Sequence, residues 1–222
     1  MNNPAALFRA DGEGAKSVIS VIGVGPGTGD YLTPIAARML ARAGAVVGGK
    51  RHIDAFARAD QTTFVIRNNL PAAVAFIRRH REQGVVVLAS GDPGLYGMLA
   101  YLRRHFAPQE LCVIPGISAM QLAFARLAMP WHDFVLLSAH GRELKEVIET
   151  VRRHPRAALF TDGRSTPAEV ARELRAAGVT DRRLYCCCDL GYPEEKIISG
   201  TVADFCQLEM GTNNCVLVIA DE

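Results

Sequence analysis

Little in the chain commits it to a membrane, a nucleic acid or an extracellular space. Among 222 residues there is one tryptophan, and Lys+Arg 25 against Asp+Glu 23 leave a formal net charge of only +2. That balance is no footprint for a dedicated nucleic-acid binder, although arginine is strongly favoured over lysine. No apolar run approaches the roughly 20 residues that cross a bilayer. The opening stretch MNNPAALFRADGEGAK lacks the basic-then-apolar order of a secretory signal. A cytoplasmic protein with no membrane partner and no nucleic-acid partner is therefore expected.

Six cysteines are present, but no Cys-x-x-Cys pair. The usual spacings of a zinc site and of thioredoxin-type redox chemistry are thus missing. Cys186, Cys187 and Cys188 are consecutive, and strand side chains alternate between faces, so these three cannot converge on one ion. With Cys112, Cys206 and Cys215 they read as small buried hydrophobes, reduced inside the cell, and no protein-bound metal is expected.

Hydrophobic residues make up 49% and charged residues 22%, which excludes wholesale disorder. The length corresponds to roughly 1.5 typical domains, hence one large α/β domain or two small ones. Residues 1–16 are polar, contain glycine and show no periodicity, and they read as a flexible leader. From 17 to 129, short β-branched apolar runs at 18–24, 45–47, 62–66, 85–89 and 111–114 alternate with helical patterns at 34–43, 71–83, 97–106 and 118–128. Uniformly apolar strands separated by helices predict a largely parallel sheet covered on both faces. Two helix starts are strongly signalled. Thr33 and Pro34 suit an N-cap and first helical position, and Thr166, Pro167 and Glu169 repeat the pattern with an acid in the first turn. Pro130-Trp131-His132-Asp133 breaks the alternation. It is the expected linker, 130–133, to a second α/β domain at 134–222, with strands at 134–138, 157–161, 184–188 and 215–220 and helices at 142–154, 167–177 and 202–208.

Glycine-rich loops carry the first chemical signal. In the loop after the first strand, Gly23-Val-Gly25-Pro26-Gly27-Thr28-Gly29-Asp30, the dinucleotide spacing would need glycine at Thr28 or Asp30, so a nicotinamide site is disfavoured. The stretch 44–51 matches a phosphate loop only until Arg51 stands where a magnesium-binding hydroxyl is needed. Ser90-Gly91-Asp92-Pro93-Gly94-Leu95-Tyr96-Gly97 follows a strand directly. Gly91 and Gly94 let a ligand approach the backbone, and Asp92 can accept from an amine or from ribose hydroxyls. Pro115-Gly116-Ile117-Ser118 is a third strand-to-helix loop. Each alone reads as a turn. Three at the carboxyl ends of three strands of one sheet point to a ligand site.

Taken together, VIGVGPGTGDYLT, SGDPGLYG and PGIS, in that order, resemble the tetrapyrrole (corrin and porphyrin) methyltransferases that use S-adenosylmethionine. VVGGKRHI at 46–53, VIPGISAMQLAFARLAMPW at 113–131, LSAHGR at 137–142, LFTDGRSTPAEVA at 159–171 and DLGYPEEKI at 189–197 are most similar to members that methylate carbon 5 of a precorrin or cobalt-precorrin in cobalamin synthesis. The resemblance runs from about Val18 to Ala220. It implies two α/β domains with S-adenosylmethionine in the cleft between them, a precorrin-type tetrapyrrole as substrate, and a homodimer. It implies donor contacts at Pro26, Gly91, Asp92, Leu95, Ser118 and Ala119, with a second-domain contact at Phe160 or Thr161. Ser90 departs from the pattern, since several relatives have another glycine there. No catalytic base is shared by the family, so none is implied. Some relatives carry a fused decarboxylating domain; without one here, a separate decarboxylating methyltransferase is a candidate partner.

A tetrapyrrole fringed with carboxylates calls for guanidinium groups. Arg51, Arg142 and Arg164 lie outside ordinary helix faces and are candidate substrate contacts, though each also reads as a solvated surface residue. Tyr96 either lines the site or packs. His140 and Asp162, at two strand ends, are candidate acid–base groups, against a structural histidine and an Asp-Gly turn. Glu194 and Glu195 read as surface, and Trp131 as a linker anchor. Displacement at a sulfonium methyl depends on placement of donor and acceptor rather than on a triad. Two other readings stay open: a sibling methyltransferase acting at another ring position or on another acceptor, and a tetrapyrrole-binding module without catalysis.

Overall fold

The computed structural model describes residues 18–209 and 215–221. The expected leader at 1–16 lies outside the described residues. The chain divides into two compact units that part between Ser118 and Ala119. Among the described residues no helix is long and apolar enough to cross a membrane.

The first unit runs β1 (Ile19–Gly23), α1 (Pro34–Arg42), β2 (Ala45–Gly49), α2 (Lys50–Phe56), β3 (Thr62–Ile66), α3 (Leu70–His80), β4 (Val85–Ala89), α4 (Leu99–Leu102) and β5 (Leu111–Ile114). Its sheet has the order β3-β2-β4-β1-β5, and every pairing is parallel. Both faces are covered, as the unbroken apolar strands require. Ile19, Val21, Val85 and Val87 join Ala73, Val74 and Ile77 of α3 on one side. Ile22, Val86 and Leu88 join Ala36 and Leu40 of α1 and Ile53 of α2 on the other. Thr33 caps α1 as expected, its Oγ1 accepting the Ala36 amide at 3.3 Å with Pro34 at the first position. Helix α2 was not expected. It starts without a side-chain cap, from Gly49, so no capping residue announces it. The helix expected at 97–106 shrinks to the single turn of α4.

Chain connections from β1 lead towards β2 and those from β4 lead towards β5, on opposite sides of the β4–β1 pair. In open α/β sheets, ligands sit at the carboxyl ends of such a pair.

The second unit runs α5 (Ala119–Leu127), β6 (Val135–Ser138), α6 (Leu144–Arg153), β7 (Ala157–Phe160), α7 (Pro167–Ala176), β8 (Arg182–Cys188), β9 (Lys196–Thr201), α8 (Val202–Cys206) and β10 (Cys215–Asp221). Its sheet order is β6-β7-β10-β8-β9; only β6 and β7 are parallel. Helices α6, α7 and α8 bury Val147, Ile148, Val151, Val170, Leu174 and Phe205 against Leu159, Leu184 and Leu217 of the strands. Thr166 caps α7, accepting the Glu169 amide at 3.2 Å, with Pro167 at the first position. Strand β9 was not expected. It forms the edge, and its residues are mostly exposed, so the apolar run that marks a buried strand is absent.

The expected linker at 130–133 does not fall at the boundary of the compact units. The boundary precedes α5, because that helix packs on β7 and β10. Phe124 of α5 stacks on Trp131 at 6.2 Å and meets Phe134 edge-on at 4.7 Å, pinning the 130–133 stretch to the same unit. Asp133 adds an ion pair to Arg156 at 2.6 Å.

Candidate functional site

Three loops leave the adjacent strands β4, β1 and β5, and they meet backbone to backbone. The Gly25 and Gly91 amides each donate to the other's carbonyl, at 3.4 and 3.1 Å, and Val24 N donates to Ala89 O at 3.0 Å. Gly25 and Gly91 have φ of +79° and +60°, which side-chain-bearing residues rarely adopt. A Cβ on Gly23 would lie 2.5 Å from Gly116 N, and one on Gly116 would lie 2.7 Å from Gly23 Cα. No side chain fits between the first and third loops.

Asp92 fastens this junction. Its Oδ1 accepts the Gly94 amide at 2.7 Å within its own loop, and its Oδ2 accepts the Gly116 amide at 3.2 Å across to the loop after β5. A carboxylate has about four acceptor positions, so Asp92 can still receive an ammonium or hydroxyl donor. Pro26, Gly91 and Ser118 are buried around the junction, and Leu95 is half-buried. Tyr96 and Ile117 are 44% and 37% exposed, two of the four large hydrophobic side chains left open among the described residues. Tyr96 also has φ 53°, a strained value for a bulky residue.

Arg51, on the first turn of α2 beyond the end of β2, is exposed. Its Nη2 stands 3.5 Å from Nε2 of His52. Burial, helped by the Arg51 charge, lowers the His52 pKa from its ordinary 6.5 to about 4. At neutral pH the ring is uncharged and can accept from the guanidinium. The unfolded chain takes up a proton near pH 6.5 that the folded one refuses until about pH 4. Stability held above pH 6.5 should therefore decline as pH falls towards 4. Discounted for its partial solvent access, the loss is about 1–2 kcal/mol. Urea titrations of wild type and His52→Asn at pH 7 and pH 4.5 check this. A pH difference of equal size in both proteins would remove His52 as its source.

In the second unit β6 and β7 are parallel neighbours, so the loops that follow them share one end of the sheet, joined by Ala139 N to Phe160 O at 2.9 Å. This corner gathers His140, Arg142, Thr161, Asp162 and Arg164. His140 and both arginines are exposed. The His140 amide donates to Ser138 Oγ at 3.3 Å. Asp162 Oδ1 accepts the amides of Ser165 at 2.7 Å and Arg164 at 2.9 Å. Those bonds, the Ser165 amide foremost, hold its carboxyl below the usual carboxylate range, with the His140 and Arg164 side chains adding to the effect. Asp162 thus shapes its turn and stays ionised, which makes it a poor proton reservoir near neutrality. The Thr161 hydroxyl is buried and donates to Cys215 O at 3.1 Å, while the Thr161 amide reaches the same carbonyl at 3.0 Å. Ala119 is the first residue of α5.

The structure therefore brings Pro26, Gly91, Asp92, Leu95, Tyr96 and Ser118 together in the first unit. It brings His140, Arg142, Thr161, Asp162 and Arg164 together in the second. Sequence reasoning missed Gly23 and Gly116 as a packing pair. The available signal was a glycine in each of two loops after neighbouring strands, legible only once the strand order was known.

A family model for the tetrapyrrole (corrin/porphyrin) methylases matches residues 18–206, which include every loop just described. The chain belongs to this family. It is 35% identical over 192 residues to the cobalt-precorrin-7 C(5)-methyltransferase of Salmonella typhimurium, covering 85% of this chain and 94% of that protein. It is 33% identical over 209 residues to a precorrin-6Y C(5,15)-methyltransferase [decarboxylating] of a Sinorhizobium species, covering 92% of this chain but 50% of that protein. Among solved structures, the methyltransferase CobJ superposes with a TM-score of 0.77 at 24% identity, covering 92% of this chain and 94% of that one. The two-sheet α/β architecture is thus a tetrapyrrole methylase fold.

Proposed function

We propose that this protein transfers a methyl group from S-adenosylmethionine to carbon 5 of a late corrin precursor, precorrin or cobalt-precorrin, in cobalamin biosynthesis. The observation that carries this reading is the 35% identity to a cobalt-precorrin-7 C(5)-methyltransferase over 94% of that protein.

When bound, the sulfonium donor supplies an electrophilic methyl group without any metal. The first unit's loops suit such a donor. Gly91, beside Pro26, carries no side chain, and Asp92 keeps acceptor capacity for an ammonium or ribose hydroxyls. Tyr96 and Ile117 offer exposed apolar surface that a flat ring system would cover. Leu95, Ser118, Ala119 and Thr161 complete the donor contacts in this reading. The Thr161 hydroxyl hydrogen is already committed to Cys215 O, so towards a ligand that oxygen can only accept. Arg51, Arg142 and Arg164 pair with carboxylates of the acceptor. No side chain is assigned as general base; positioning and exclusion of water do the catalytic work.

A cytoplasmic location and homodimeric assembly belong to the same reading, and the assembly rests on the family resemblance. So does a separate decarboxylating methyltransferase as partner; the Sinorhizobium relative's own name joins C(5,15)-methylation with decarboxylation. Incubation with methyl-labelled donor and metal-free or cobalt-containing precursors, followed by NMR of the product, tests the proposal. Label at carbon 5 is expected. Label at another ring carbon would make the protein a sibling enzyme, and precursor binding without turnover would make it a binding module.

A further inference from the structure

The second unit holds three thiols that the methyl transfer does not use. In β8, Cys186 and Cys188 project to one face of the sheet and Cys187 to the other, as alternation requires. Cys215 opens β10 and pairs in register with Cys188. The sulfurs of Cys186, Cys188 and Cys215 all lie within 4.8 Å of one another, and those of Cys186 and Cys188 are 3.3 Å apart. All three residues are at most 2% exposed and sit in one apolar core with Leu159, Leu184 and Phe205. The three consecutive cysteines do not converge; a triad with a partner from β10 does.

We propose that Cys186, Cys188 and Cys215 form a buried three-thiol site for a trivalent, thiophilic metalloid, the class that arsenite represents. Three sulfurs around one centre at bonds of about 2.3 Å, the zinc–thiolate value, stand about 4.0 Å apart when the centre is coplanar with them. The observed spacing meets that with small side-chain shifts. A closed zinc site needs a fourth ligand, and no histidine or carboxylate joins the cluster among the described residues. Charge then selects the valence. An apolar core penalises any net charge heavily. Three thiols that lose three protons to a trivalent centre leave a neutral product. Arsenous acid, As(OH)3, reacts with three thiols to give As(SR)3 and three waters. Three As–O bonds break, three As–S bonds form, each thiol proton leaves with a hydroxide, and no oxidation state changes.

The test is native mass spectrometry of the full chain after prolonged incubation with arsenite. One arsenic is expected per chain, with loss of three hydrogens. Cys186→Ala, Cys188→Ala and Cys215→Ala should each weaken retention at least tenfold, while Cys187→Ala, on the opposite face, leaves it unchanged. A vicinal pair in an unfolded segment would behave differently, requiring Cys187; loss of binding in Cys187→Ala would overturn the proposal. So would absence of binding. Should the alanine variants fail to fold, wild type still decides. Arsenic X-ray absorption must show three sulfur neighbours and no oxygen. A hundredfold excess over Kd must raise the thermal midpoint by about 5 °C or more. A falling midpoint would mean that arsenite prefers the unfolded chain.

Discussion

Gly116→Ala is expected to cost about 3 kcal/mol of stability or more and to lower donor affinity beyond hundredfold. The added Cβ would stand 2.7 Å from the Cα and carbonyl carbon of Gly23 and would also overlap the Gly91 carbonyl. All of these are backbone atoms, so no flexible side chain can swing away. Relief requires the loops after β1, β4 and β5 to separate, which also strains the Asp92 bond to the Gly116 amide. Gly141→Ala is the matched control. Gly141 has φ +64° but nothing within 4 Å of its added Cβ, so only the conformational cost of about 1–2 kcal/mol applies. Chemical denaturation and calorimetric titration of S-adenosylmethionine measure both effects. If Gly116→Ala matched Gly141→Ala in each, the loops would not be interlocked as described.

Asp92→Asn should reduce donor affinity about 30- to 150-fold, with kcat/KM falling alongside, in a protein that remains folded. The change is isosteric, yet it replaces one acceptor oxygen with an NH2 group. Whichever way the amide turns, either the Gly94 or the Gly116 N–H then faces a donor. Loss of a charge-assisted bond and the stranded amide together cost about 2–3 kcal/mol. Unaltered affinity would show that the two backbone amides do not depend on the carboxylate, and that Asp92 is dispensable to the junction.

The local signals that could be read were those in which one residue type answers one backbone need. Thr33-Pro34 and Thr166-Pro167 announced their helices because a hydroxyl must accept a first-turn amide and proline has none to offer. Strands β1, β2, β4 and β5 were legible because a strand buried on both faces tolerates little but apolar residues. Strand β9 was not, since its exposed edge removes that restriction. Helix α2 was not, because a bare glycine precedes it. The three loops after β1, β4 and β5 were visible as glycine clusters, but the contact of Gly23 with Gly116 depends on β1 and β5 being neighbours, which no local pattern states. Asp92 was singled out for a ligand, and the structure adds that it staples two loops. The cysteine triad was hidden for the same reason as the glycine contact: alternation separates Cys187 from its neighbours, but only the register of β8 with β10 brings in Cys215.

Strand β10 is the last of the described elements in chain order, yet it lies in the middle of its sheet, between β7 and β8. While the ribosome is still short of residue 215, β6–β7 and β8–β9 have open flanks and no strand pairing joins one ribbon to the other. The first unit needs no residue beyond 118 for its own strand pairings, so it can mature during translation as the second waits. The unjoined ribbons are an opening for chaperones or for misassembly with a neighbouring nascent chain, and a release from the ribosome before 215 yields one finished half and one that cannot close.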